Sequence, residues 1–235
     1  MLHFSSRQIL HKQSFNILKN YFHARFQTVA MSSNVHANIK PLHKVAPPEP
    51  DLEVPLIAAV VNDDVDALKK LADDLNDGAW QTMNLQHDVS GNSALIWAAD
   101  LGKVACAEFL ANDSRVDLLK RGFLGNTALS RAARRGHVQI AKILLDAANK
   151  RSAYYETAPY LGGSVMANIC NDKLQYPMHF AGFKKHVDVV KLMLEYHCCS
   201  YVRDRKGRTP KEDTSLQEVR DLIDAARKDE FSDDK

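Results

Sequence analysis

Apolar residues from Val54 onward follow one pattern that recurs along the chain. Each copy begins with a short phrase of small and apolar residues and continues into a second apolar stretch. In the second stretch the apolar positions fall on one face of a helix, so each copy predicts a pair of helices. The opening phrase lies at residues 54–59, 93–99, 127–133 and 176–182, and a broken fifth copy begins at Thr209.

The second apolar stretch is clearest at residues 138–145 and 187–194. Within a single copy nothing can bury such a helix, so neighbouring copies must cover it. Leu144 begins the paired leucines of this stretch and is expected in the interface between adjacent helices. The starts of the copies lie 39, 34, 49 and 33 residues apart, and the longest interval indicates an insertion at residues 149–173.

These repeated residues resemble ankyrin repeats. The phrase of that family is Thr-Pro-Leu-His-x-Ala-Ala, followed by a Gly-His turn, as in Gly136-His137, and by a second helix that ends in paired leucines. The resemblance covers residues 54–226. It implies an all-α ankyrin-repeat solenoid of stacked helix-turn-helix units with hairpin loops, in four repeats and a degenerate carboxy-terminal cap.

Two departures and one match refine this resemblance. Asp63-Asp64 replaces Gly-His in the first copy, and polar residues replace the buried ones in the last, as expected for the ends of a stack. His179 occupies the histidine of the family phrase. The resemblance therefore implies that its ring ties one repeat to the next through hydrogen bonds.

The first 48 residues contain no Asp or Glu and six Lys or Arg. Apolar and basic residues from Arg7 to Phe26 separate onto different faces of a predicted helix, which favours a mitochondrial transit peptide over residues 1–30. The alternative is a translation start at Met31, which would leave the protein in the cytoplasm. Residues 31–53 are predicted to form a proline-containing disordered linker, and residues 227–235 an acidic flexible tail.

Charge and composition exclude several classes of function. Beyond residue 48 the chain has 25 basic and 29 acidic residues, which argues against a nucleic-acid partner because such proteins neutralise phosphates with a basic face. No apolar run reaches the roughly 18 to 20 residues of a membrane-spanning helix. No catalytic constellation or phosphate-binding loop is present, so we expect no enzyme activity and no cofactor.

The four cysteines show no C-x-x-C spacing, so we expect no metal site. Cys198 and Cys199 are adjacent, which leaves a thiol-dependent redox factor as an alternative function. An RNA- or ribosome-associated protein is the other alternative.

Residues that follow the Ala-Ala pair face the groove of an ankyrin stack, according to the resemblance. Arg134, Arg135, Phe183 and Lys184 stand there, with Trp97 close by. Such a set suits an acidic peptide that carries an apolar anchor. The alternative is a solvated basic edge beside a core tryptophan.

A second candidate surface lies in the insertion, where Tyr154, Tyr155 and Tyr160 cluster. Tyrosines provide a large contact area at low entropic cost, which favours a binding loop. Alternatively, Tyr154 and Tyr155 continue the second helix of the third copy. Together these features predict a monomeric, non-catalytic protein-interaction module, namely an adaptor, assembly factor or inhibitory subunit, located in mitochondria.

Overall fold

Paired helices follow one another through the part of the chain that the computed structural model describes, residues 48–75, 83–84, 90–154 and 166–232. These residues belong to one unit, Pro48–Lys235. Ten α-helices lie in the described ranges: α1 Pro55–Val61, α2 Val65–Asp73, α3 Ala94–Leu101, α4 Val104–Asn112, α5 Ala128–Arg135, α6 Val138–Tyr154, α7 Pro177–Lys184, α8 Val187–Glu195, α9 Pro210–Asp213 and α10 Gln217–Ser232.

The helices form two layers. The first helices of the copies, α1, α3, α5, α7 and α9, contact one another in that order, and the second helices, α2, α4, α6, α8 and α10, form a parallel series. Leu144 and Leu145 of α6 are fully buried. The predicted helical solenoid is confirmed, with a hydrophobic core that runs between the layers.

Side chains at the start of each first helix explain where it begins. The Ser93 and Thr127 hydroxyls accept hydrogen bonds from backbone N–H groups in the first turns of α3 and α5. Pro177 opens α7, where its missing N–H is not needed. At α9, Glu212 accepts a hydrogen bond from the Thr209 N–H at 2.7 Å. The family phrase therefore works as a helix-start signal.

One left-handed residue ends the first helix of each of the four copies. Asp63, Gly102, Gly136 and Lys185 have φ values of 58°, 78°, 80° and 64°. At Gly136 a Cβ atom would come within 2.6 Å of His186 Nδ1, so glycine is required there by space as well as by conformation. The departure at Asp63-Asp64 keeps the same turn.

The carboxy-terminal cap extends further than the sequence predicts. Val219 and Ile223 of α10 are fully buried, as expected for a final packed helix. The Arg227 guanidinium donates to the Ser200 carbonyl at 2.9 Å and lies 4.6 Å from the centroid of the Tyr201 ring. Helix α10 runs to Ser232, six residues beyond the predicted boundary at residue 226. The predicted transit peptide and most of the linker lie outside the described residues.

Candidate partner-binding surface

The last turns of α3, α5 and α7 lie side by side because these helices pack against one another in order. Asp100, Arg134 and Phe183 occupy the same register position in the three helices, and the next residue of each helix forms a second row. We call this set the first-helix surface; its members are Asp100, Leu101, Arg134, Arg135, Phe183 and Lys184. All are exposed except Asp100.

Phe183 is the most exposed aromatic side chain among the described residues, at 59%. The Lys184 ammonium lies 5.7 Å from the centroid of the Phe183 ring. Arg134 on the neighbouring helix is exposed, and it makes no ion pair within the described ranges. An exposed aromatic ring beside two cations matches the predicted binding chemistry, an apolar anchor with acidic neighbours.

Arg135 is committed to a contact within the stack. Its Nη2 and Nε atoms donate to the two carboxylate oxygens of Asp100 at 2.8 and 3.2 Å. This bidentate pair joins α3 to α5, and it raises the pKa of Arg135 through the hydrogen bonds. Arg135 therefore has a structural contact that sequence analysis did not anticipate.

Arg131 lies beneath this surface, one turn before Arg134. It is only 6% exposed. Its Nη1 atom lies 3.6 Å from Asp100 Oδ1, while Nε and Nη2 are buried without a hydrogen-bond partner. Burial lowers the pKa of this guanidinium. Sequence analysis missed Arg131, although one signal was present: the equivalent residues of the other repeats, Ala58, Trp97 and Phe180, are all apolar.

Trp97 does not belong to the surface. It is 3% exposed and forms part of the hydrophobic core, with an indole N–H that has no acceptor. A partner cannot reach it in this arrangement. The assignment of Trp97 as a contact residue is therefore corrected in favour of a core tryptophan, because its rigid indole packs among the apolar side chains of the core.

The tyrosine insertion is described only at its start. Tyr154 is the last residue of α6, so the second helix does continue that far, whereas Tyr155 and Tyr160 lie outside the described residues. The Arg151 guanidinium anchors this extension by donating to the carbonyls of Ala111 and Asp113 at 2.9 and 2.6 Å. The role of the tyrosines stays a prediction.

His179 has the structural role that the resemblance implies. Its Nδ1 atom accepts a hydrogen bond from the Tyr176 N–H at 3.3 Å, and Nε2 donates to the Arg208 carbonyl at 2.9 Å. The second bond joins the fourth repeat to the cap. Burial lowers the pKa of His179, and both ring nitrogens are occupied. Neither nitrogen is available to a substrate in this arrangement.

Cys106 and Cys198 are buried and lack the features of reactive thiols. Burial raises the pKa of Cys198 to about 12, and burial together with Asp63 raises that of Cys106 to about 11. Thiols with such pKa values stay protonated near neutral pH, and the thiolate is the reactive form. The described ranges contain no cluster of His, Cys, Asp and Glu suited to a metal ion. They also contain no helix with the length and apolar character needed to cross a membrane.

The two helical layers and the repeated left-handed turns define an α-helical repeat protein. Residues 56–154 match the family model of ankyrin repeats, in three copies. Residues 56–154 are therefore ankyrin repeats, and α7 and α8 continue the same arrangement of paired helices beyond the matched range. Ankyrin repeats are protein–protein interaction modules and are typically non-catalytic.

Proposed function

We propose that this protein is a non-catalytic adaptor, assembly factor or inhibitory subunit that holds a protein partner on the first-helix surface. The observation that carries the proposal is Phe183, which is 59% exposed beside Arg134 and Lys184. A phenylalanine gains nothing from such exposure in the isolated protein. Burial of a side chain of this size contributes about 1.5–3 kcal/mol, which makes it a suitable anchor for a partner.

The charges around Phe183 define the preferred partner further. The first-helix surface contains three cationic side chains, Arg134, Arg135 and Lys184, and one carboxylate, that of Asp100, so it carries an excess of positive charge. Positive charge at the edge of an interface accelerates the association of acidic partners and excludes basic ones. An acidic protein surface with an apolar side chain therefore fits best.

The test is affinity purification of the tagged protein from its native compartment, with recovered partners quantified by mass spectrometry. Phe183→Ala should reduce recovery of the main partner severalfold. Leu119→Ala is the matched control, because Leu119 is 40% exposed but lies in the loop after α4, away from the first-helix surface. Equal recovery by the two variants would contradict the proposed site.

The tyrosine insertion is tested in the same experiment. If the insertion holds the partner, Tyr154→Ala combined with Tyr155→Ala should remove it, while Phe183→Ala leaves it bound. Each variant should first be shown to unfold at the wild-type temperature, so that a loss of binding is not a loss of folding.

We also propose that the protein works in mitochondria. The support is the acid-free, amphipathic sequence of residues 1–30. Fused to a fluorescent reporter, these residues should direct it to mitochondria, and replacement of Arg7, Lys12, Lys19 and Arg25 by Glu should abolish import. A diffuse signal from the unmodified fusion would instead favour a start at Met31 and a cytoplasmic protein.

A further inference from the structure

Arg131 is a buried cation whose hydrogen-bonding capacity is mostly unused. Two of its guanidinium nitrogens, Nε and Nη2, are buried without a partner. The nearest carboxylate, Asp100, already receives two hydrogen bonds from Arg135, and its distance to Arg131 Nη1 is 3.6 Å. Asp100 therefore does not satisfy the remaining N–H donors of Arg131, on Nε and Nη2.

This arrangement is unfavourable in the isolated protein. Buried donors without acceptors lose their contact with water and gain nothing in return, and the penalty is larger for charged groups. At the equivalent position the other repeats hold Ala58, Trp97 or Phe180, so the fold does not require a polar side chain there. The missing component is an acceptor, and a carboxylate matches a guanidinium best because it accepts two parallel hydrogen bonds.

We propose that the first-helix surface recognises an acidic segment of the partner through a carboxylate that Arg131 and Arg134 bind together. This inference rests on the proposed function and specifies the chemistry of its ligand. Residues three apart on a helix lie on one face, so Arg131 and Arg134 can reach the same group. Binding requires the long side chain of Arg131 to rotate toward Arg134, since its free nitrogens are buried.

The helix packing also sets the spacing within the ligand. Arg134 and Phe183 occupy equivalent positions on α5 and α7, which pack directly against each other. Axes of packed helices lie about 8–10 Å apart. In a polyproline II segment, residues three apart lie on the same face and are separated by about 9 Å. The ligand should therefore carry an Asp or Glu three residues from an apolar side chain that packs on Phe183.

Charge complementarity argues against the amino-terminal segment of this chain as the ligand. Residues 1–48 contain no Asp or Glu, so they cannot supply the carboxylate. The acidic carboxy-terminal end of a second copy is a competing source of a carboxylate, and sedimentation detects the dimer that it would form.

The experiment uses a phage-displayed library of random peptides, selected in parallel on the full-length protein and on three variants. Selection on the wild-type protein should enrich peptides with Asp or Glu three residues from an apolar residue. Arg131→Met should lower the enrichment of the acidic residue about tenfold or more while the apolar preference persists. Arg134→Gln should weaken the acidic preference as well, and Phe183→Ala should remove the apolar one.

The outcomes separate this inference from the proposed function. If the wild-type protein enriches no peptide above the Phe183→Ala variant, the proposed function and the inference both fail. Enrichment of apolar peptides without an acid, or an acidic preference that survives Arg131→Met, overturns the inference alone. A dimer that dissociates in the Arg131→Met variant would identify a second copy as the ligand and would also overturn it.

Thermal unfolding distinguishes a binding role of Arg131 from a structural one. Arg131→Met removes two unsatisfied buried donors together with the 3.6 Å ion pair to Asp100, and Asp100 keeps its hydrogen bonds from Arg135, so the unfolding temperature should change little. A clear fall would show that Arg131 mainly supports Asp100, which contradicts the proposal. Arg134→Gln, at an exposed position, provides the binding test without a change to the buried cluster.

Discussion

Two buried polar side chains in the first-helix layer, His179 in α7 and Arg131 in α5, stand in contrasting environments. Both nitrogens of His179 have backbone partners, at Tyr176 and Arg208. Arg131 has two buried nitrogens without any partner. A complete set of hydrogen bonds indicates a structural residue, whereas the incomplete set of Arg131, a cation beneath an exposed basic surface, is the observation on which its proposed binding role rests.

The contrast extends to the residues around each side chain. His179 joins the fourth repeat to the cap, where Asp204, Arg208 and Asp213 form further ion pairs. Arg131 lies between the second and third repeats, directly beneath the exposed Arg134. Buried atoms without a hydrogen-bond partner also occur in the cap region, at Arg208 Nε, Asp213 Oδ1 and Arg227 Nε, but only Arg131 places two such nitrogens on one side chain in the described residues.

The largest loss of stability should come from a substitution in the apolar core, and it provides the reference with which the effects at His179 and Arg131 are compared. Leu144 of α6 is fully buried, so Leu144→Ala should lower the free energy of unfolding by about 2–5 kcal/mol through lost apolar contacts and a cavity. Urea denaturation measures this change. Leu174→Ala, at a half-exposed position, is the control, and a loss below about 0.5 kcal/mol for Leu144→Ala would contradict the packing described.

His179→Ala should have the next largest effect. It removes two hydrogen bonds of a buried ring, with the Tyr176 N–H and the Arg208 carbonyl, each of which contributes about 0.5–1.5 kcal/mol, although the Arg208 carbonyl still accepts from the Asp204 N–H. Arg131→Met should cost less, because it removes the 3.6 Å ion pair with Asp100 but leaves Asp100 hydrogen-bonded to Arg135. Denaturation curves of the two variants test the comparison directly. It fails if the Arg131 variant is the less stable of the two.

The contribution of His179 should also appear in the pH dependence of stability, as a smaller effect than that of His179→Ala. Burial lowers its pKa from the ordinary 6.5, although Asp213 and Asp204 oppose the shift. The unfolded chain therefore takes up a proton at a higher pH than the folded protein does. As the pH falls below about 6.5, stability should decline until the pH reaches the folded pKa. Protonation of Nδ1 would also break its bond with Tyr176.

The measurement is the unfolding temperature of wild-type protein and of His179→Gln as the pH is lowered from neutral. All other residues are the same in both proteins, so the difference between the two curves isolates His179. Parallel curves would mean that His179 does not contribute to the acid sensitivity of the fold.

The repeated phrase predicted most of this architecture because it encodes local physics. Helix-start residues such as Thr127 and left-handed glycines such as Gly136 act within a few residues of their own position. The burial of Leu144 followed from the apolar period alone. Elements defined by such short-range signals can be placed from the order of the amino acids alone.

The candidate site was harder to predict because it depends on contacts between helices. Trp97 and Arg131 share a register position, and the sequence did not show that this position is buried. The commitment of Arg135 to Asp100 spans two repeats. The end of α10 depends on the contact of Arg227 with Tyr201. In each case the deciding partner lies far away along the chain.

The smallest effects on stability should separate the two adjacent arginines of the first-helix surface. Arg134 is exposed and makes no ion pair within the described ranges, so Arg134→Glu should change stability by less than about 1 kcal/mol. Arg135→Glu places a second carboxylate beside the buried Asp100 and removes its two hydrogen bonds. It should therefore destabilise the protein more than Arg134→Glu does, by an amount on the order of 1–2 kcal/mol.

Binding should show the reverse order. Arg134→Glu reverses a charge that the proposed carboxylate ligand contacts, so affinity for an acidic peptide should fall sharply, and more so at low salt, where screening is weak. Arg135 is already paired with Asp100 within the stack. Arg135→Glu should therefore weaken binding less than Arg134→Glu does, although the two substitutions change the charge equally. Fluorescence titration with a peptide from the library selection measures the affinity of each variant, and urea denaturation measures its free energy of unfolding. If Arg135→Glu weakens binding more than Arg134→Glu while both variants remain folded, Arg135 rather than Arg134 contacts the ligand, and the pair with Asp100 must open when the partner binds.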